Sequence, residues 1–141
     1  MKIALERVNK DYLFQATNPN GHQVLLDNKS KTTGEVQGIS PMELILMGVA
    51  GCSSIDIVAI LNKQKINPTS LKMEVEGLRH EGAVPALFYQ IDITIHLEGD
   101  FSAKKAKRAA QLSFEKYCSV SKTLEPTAKI NHHIILNGAA I

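Results

Sequence analysis

Apolar and polar positions change period several times along the chain, and each change marks an element. Residues 71–76 set Leu71, Met73 and Val75 against Lys72, Glu74 and Glu76. Residues 89–98 set Tyr89, Ile91, Ile93, Ile95 and Leu97 against Gln90, Asp92, Thr94, His96 and Glu98. A period of two sends successive side chains to opposite faces, so both stretches are predicted as half-buried strands, joined through Gly82 and Pro85. Three shorter runs, residues 2–8, 12–16 and 23–26, are separated by Asn9-Lys10-Asp11 and Thr17-Asn18-Pro19-Asn20-Gly21. Turn formers at both breaks predict a meander of strands. Residues 130–136 predict a closing strand. Over residues 102–117 the period becomes helical, with Ala106, Ala110, Phe114 and Tyr117 on one stripe and Lys104, Lys105, Lys107 and Arg108 elsewhere. This is an amphipathic helix whose basic residues read as a solvated face.

The longest apolar stretch, residues 44–61, is interrupted by Gly48, Gly51, Ser53, Ser54 and Asp56, and is read as a buried helix rather than a membrane span. Its start is well marked. Ser40, Pro41 and Glu43 fall at N-cap, N1 and N3, the capping-box arrangement with proline where no amide donor is needed. The helix is expected to run to about Gln64. Ahead of it, residues 28–38 are polar and hold two glycines, which predicts a mobile surface loop suited to a lid.

Composition narrows the picture. With 141 residues, 44% hydrophobic and 21% charged, the chain reads as one soluble globular domain spanning residues 1–141. Folding at this size hides about 68% of the unfolded surface, enough for a core without staples. The net charge of +2 gives no footprint for a nucleic-acid partner. The opening residues carry Glu6 and no apolar segment, so no secretory signal is expected and a reducing cytoplasm is. No membrane partner is expected either.

Two cysteines, Cys52 and Cys118, are present, without Cys-x-x-Cys spacing. Taken alone, Cys52 inside an apolar helix reads as a small buried hydrophobe. Pairing with Cys118 requires Cα atoms about 4.4 to 6.8 Å apart, which is a property of the fold and not of the spacing. His132 and His133 are adjacent on a predicted strand and point to opposite faces, so they do not share a metal.

The segments Ser40-Pro41-Met42-Glu43-Leu44, Met47-Gly48-Val49-Ala50-Gly51-Cys52 and Tyr117-Cys118-Ser119-Val120-Ser121 with Leu124 carry a resemblance. The sequence resembles the OsmC/Ohr family of osmotically inducible and organic hydroperoxide resistance proteins, more closely its YhfA-like branch, over nearly the whole chain. The resemblance implies an α+β fold with antiparallel sheets around a long central helix, in an intertwined homodimer with sites at the subunit interface. It also implies a thiol peroxidase with Cys52 as peroxidatic and Cys118 as resolving cysteine. Organic hydroperoxide would be the substrate, a lipoyl dithiol or small thiol the reductant, and no metal or organic cofactor would be needed. A second function, from a different class, is a non-peroxidatic protein binding a small apolar or thiol-reactive ligand at the dimer interface.

The sequence departs from the family's peroxidases at two positions. Their early turn carries an arginine, whereas this one reads Thr17-Asn18-Pro19-Asn20-Gly21-His22; their glutamate follows the helix proline, where Met42 stands here. Glu43 lies half a turn around the helix from Cys52 and is assigned to the cap. Asp56, at i+4, shares the face of Cys52, and a carboxylate there calls for a cation between the two. Arg79, Lys122 and His22 are the candidates; as plain structure they read as a strand-end arginine, a solvated lysine and a turn histidine.

Overall fold

A computed structural model describes residues 1–141, which divide into two compact units, Met1–Ile45 and Leu46–Ile141. The first unit holds the expected meander. Strands β1 (Ala4–Arg7), β2 (Phe14–Thr17) and β3 (Gln23–Leu26) pair antiparallel, with Leu5 opposite Ala16 and Gln15 opposite Leu25. Asparagines make both turns. The Asn9 side chain accepts from the amides of Asp11 and Leu13, and that of Asn18 from Asn20 and His22. Gly21, at φ 84°, takes the left-handed position that the second turn requires.

The polar stretch before the first helix is tied down rather than free to act as a lid. Asp27, 4% exposed, accepts from the amides of Asn28 and Gln37 and from the Thr32 hydroxyl. The Thr32 and Gln37 bonds hold its carboxyl below the usual carboxylate range. The end of the stretch is pinned by the Ile39 amide on the Leu25 carbonyl at 3.0 Å, and by the Asp27 amide on the Ile39 carbonyl at 2.9 Å. Gly38 permits this approach, since a Cβ there would lie 2.8 Å from the Leu25 and Leu26 backbone.

Helix α1, Pro41–Lys63, begins in the first unit and continues into the second. Its capping box forms as expected. The Met42 amide donates to Ser40 Oγ at 3.2 Å and Glu43 Oε2 accepts from the Ser40 amide at 2.8 Å, while Lys29 pairs with the other Glu43 oxygen. By length and composition α1 resembles a membrane span. Only Val49, Ser53, Ile57 and Leu61 are fully buried, so one face is covered and not the whole circumference.

In the second unit, β4 (Ser70–Arg79) and β5 (Phe88–Glu98) pair antiparallel, and β6 (Lys129–Leu136) runs parallel to β5, Ile93 beside His132. The two-residue β7 (Ala139–Ala140) closes the sheet in the order β4-β5-β6-β7. The expectation of purely antiparallel sheets is corrected at the β5/β6 pair. Neighbouring parallel strands need a long crossover, and residues 99–128 supply one. That crossover is not the single helix expected over residues 102–117. It consists of α2 (Ala103–Leu112), one π-helical turn (Ser113–Tyr117) and α3 (Ser119–Leu124). The wider turn shifts the helical phase, so Tyr117 lies 47% exposed instead of on the buried stripe.

The core of this unit joins β5, α1 and α2. Ile91, Ile93, Ile95, Ile57, Leu61, Ala106, Ala109 and Ala110 are fully buried. The hydroxyls of Ser53 and Ser54 reach Met73 Sδ at 3.5 and 3.3 Å, which places α1 on β4.

Candidate functional site

Both cysteines are free thiols, Cys52 half-buried and Cys118 fully buried. The fold brings them together. Their sulfurs and one Asp56 carboxylate oxygen all lie within 4.8 Å of one another. Cys52 and Asp56 share one face of α1 by their i, i+4 spacing. Gly48, one turn earlier, lies beside α3: a Cβ there would make an ordinary contact with Val120 Cγ1 at 3.8 Å.

Cys118 is delivered by the π-helical turn, closed by its own amide donating to the Ser113 carbonyl at 2.8 Å. Its backbone then turns extended, at φ −69° and ψ 97°, and caps α3. Cys118 Sγ accepts from the Ser121 amide at 3.5 Å, and the Ser121 hydroxyl donates to the Cys118 carbonyl at 2.9 Å. Burial pushes the Cys118 thiol above its ordinary range; the Ser121 contacts pull the other way and Cys52 adds to the rise. On the far side of the cluster, the buried Ser113 hydroxyl lies 3.4 Å from Asp56 Oδ2 and 3.5 Å from the Ser53 carbonyl.

The residues proposed from sequence as cations for Cys52 have other roles. Arg79 stands over the Phe88 ring at 5.9 Å, Lys122 pairs with Glu125 at 2.8 Å, and His22 Nδ1 lies 3.3 Å from Asn18 Nδ2 in the first unit's turn. His132 stacks on Phe114 with centroids 4.7 Å apart, and burial lowers its pKa below the ordinary histidine value. His133 is exposed on the other face of β6. Sequence reading reached Cys52, Asp56 and Cys118 and quoted Ser121 within the second cysteine segment without giving it a role, but it missed Ser113. Ser113 has no distinguishing neighbour pattern and gains its role only because the helix widens there.

Residues 32–133 match the model of a family described as OsmC-like protein. The chain is 38% identical over 120 residues to the protein YhfA of Escherichia coli strain K12, covering 84% of this chain and 86% of that one. An OsmC-like protein from Mycoplasma pneumoniae superposes with a TM-score of 0.81 at 21% identity, over 96% of this chain and 95% of that one. The organic hydroperoxide resistance protein OhrB of Bacillus subtilis does so with a TM-score of 0.66 at 16% identity, over 94% and 96% of the two chains. At these identities the last two likenesses establish the fold alone.

Proposed function

Because the chain belongs to the OsmC-like family, we propose that it is a thiol-dependent peroxidase acting on organic hydroperoxides, with Cys52 as the attacking and Cys118 as the resolving cysteine. The observation that carries this reading is the approach of the two sulfurs, within 4.8 Å across 65 intervening residues. A Cys52 thiolate attacks one peroxide oxygen; the O–O bond breaks, sulfur takes that oxygen as sulfenic acid, and the other oxygen leaves as alcohol after gaining a proton. The Cys118 sulfur then attacks the sulfenic sulfur, a disulfide forms, and hydroxide leaves as water with the Cys118 proton. A dithiol such as a lipoyl group, or two small thiols, returns both cysteines to the reduced state. The cycle draws on no metal or organic cofactor.

The working unit in this reading is a homodimer of single-domain chains in the cytoplasm. The support is the uncovered side of α1, where Met47 is 52% and Ile55 72% exposed, with Gly51 and Ala59 exposed between and beyond them. Apolar surface of this kind on a helix calls for a second surface against it.

A second reading, ligand binding without peroxide chemistry, is favoured by Asp56, whose carboxylate repels a thiolate at this range. Counting free thiols before and after one equivalent of cumene hydroperoxide separates the two. A peroxidase loses two thiols per chain rapidly, and a binding protein keeps both.

A further inference from the structure

We propose that Cys52, Asp56 and Cys118 form a binding site for one zinc ion per chain. The inference is independent of the peroxidase reading, since it needs only the reduced thiols. Two sulfurs and a carboxylate oxygen converge within 4.8 Å. Zinc with sulfur ligands at about 2.3 Å and oxygen at about 2.0 to 2.2 Å spaces its donors about 3.5 to 3.8 Å apart. The cluster therefore needs to contract by about 1.3 Å at most, within the reach of side-chain rotation. Sulfur donors exclude calcium and magnesium, which take oxygen, and the mixed sulfur and carboxylate set suits borderline-soft zinc.

The surroundings are those of a ligand set. Asp56 is in no ion pair, so its negative charge faces the thiols without a compensating cation. The Ser113 hydroxyl sits 3.4 Å from Asp56 Oδ2, and the Ser121 amide supports Cys118 Sγ. Such outer contacts orient metal ligands and raise their affinity. Binding replaces two thiol protons: two S–H bonds break, two sulfur–zinc bonds form, and two protons pass to solvent with no change of oxidation state. Three protein donors leave the fourth tetrahedral position open to water or an exogenous thiol. Sulfur held by zinc is withheld from peroxide, so metal and oxidant compete for the same atoms.

The test uses the full-length protein, reduced with a phosphine and freed of metal, titrated anaerobically with Co2+ and then Zn2+. The expected result is one Co2+ per chain, a near-ultraviolet sulfur-to-cobalt band of two-thiolate intensity, visible bands of tetrahedral cobalt, and displacement by Zn2+. Asp56→Asn is expected to weaken binding by at least about tenfold, and Cys118→Ser to halve the charge-transfer intensity. Asp56→Cys, which supplies a third sulfur, is expected to bind more tightly with a stronger band, and it serves if Asp56→Asn does not fold. No sulfur-to-cobalt band at equimolar metal, or undiminished affinity in a folded Asp56→Asn, overturns the site. Peroxide turnover by the metal-free protein is scored separately, so the peroxidase reading stands or falls on its own result.

Discussion

Cys118 is an acid held in its neutral form by burial, which ties its chemistry to stability. A thiol whose folded pKa is raised contributes stability that is whole below the unfolded value of about 8.5 and is lost as the pH climbs from there through the folded value. Denaturant titrations from neutral to alkaline pH are therefore expected to show a falling stability, and the fall is expected to be shallower in Cys118→Ser. In the proposed cycle the two thiols also divide in reactivity. Cys52→Ser is expected to lose the fast reaction with hydroperoxide, whereas Cys118→Ser completes one turnover and stalls as a sulfenic acid that dimedone traps and excess peroxide carries to sulfinic acid. Intact-mass spectrometry reads the gain of one or two oxygens; equal, slow peroxide consumption by Cys52→Ser and the parent protein defeats this division of labour. Glu43, by contrast, is structural. Glu43→Gln keeps the bond to the Ser40 amide and is expected to be nearly silent in both melting and turnover, while Ser40→Ala is expected to cost about 1 kcal/mol.

Elements with a strong period were legible in the sequence, and those set by partners across the fold were not. The alternation of residues 71–76 and 89–98 located β4 and β5, and Ser40-Pro41-Glu43 located the start of α1 to the residue. The π-helical turn left no trace, because Phe114 and Tyr117 fit an ordinary helical stripe and one extra residue per turn has no compositional signature. Parallel pairing of β5 with β6 was equally hidden, since alternation reports a strand's faces and not its neighbour's direction. The site divides the same way: Cys52 and Asp56 follow from helical spacing, whereas Ser113 and Ser121 depend on the turn between the helices. One element carries a packing test. A Cβ at Gly77 would overlap the Phe88 ring and lie 3.0 Å from Leu46 Cδ2, so Gly77→Ala is expected to cost about 1 to 3 kcal/mol in a denaturant midpoint series.

At the scale of the whole molecule, the exposed apolar side of α1 calls for a covering surface. A dimer seated on Met47, Gly51, Ile55 and Ala59 predicts sedimentation at twice the chain mass at micromolar concentration. Ile55→Glu places a charge in that contact and is expected to yield monomer or to lower stability with dilution; a well-folded parent monomer at the same concentration removes the dimer from the proposal. The length of the crossover between β5 and β6 bears on a different matter, the order of events during synthesis. Cys52 leaves the ribosome long before Cys118, and the strand that anchors the crossover, residues 129–136, emerges later still. A nascent chain that has both cysteines but lacks β6 has no frame to hold them together, so competence for the proposed two-thiol chemistry arrives only once residues 129–136 have been translated.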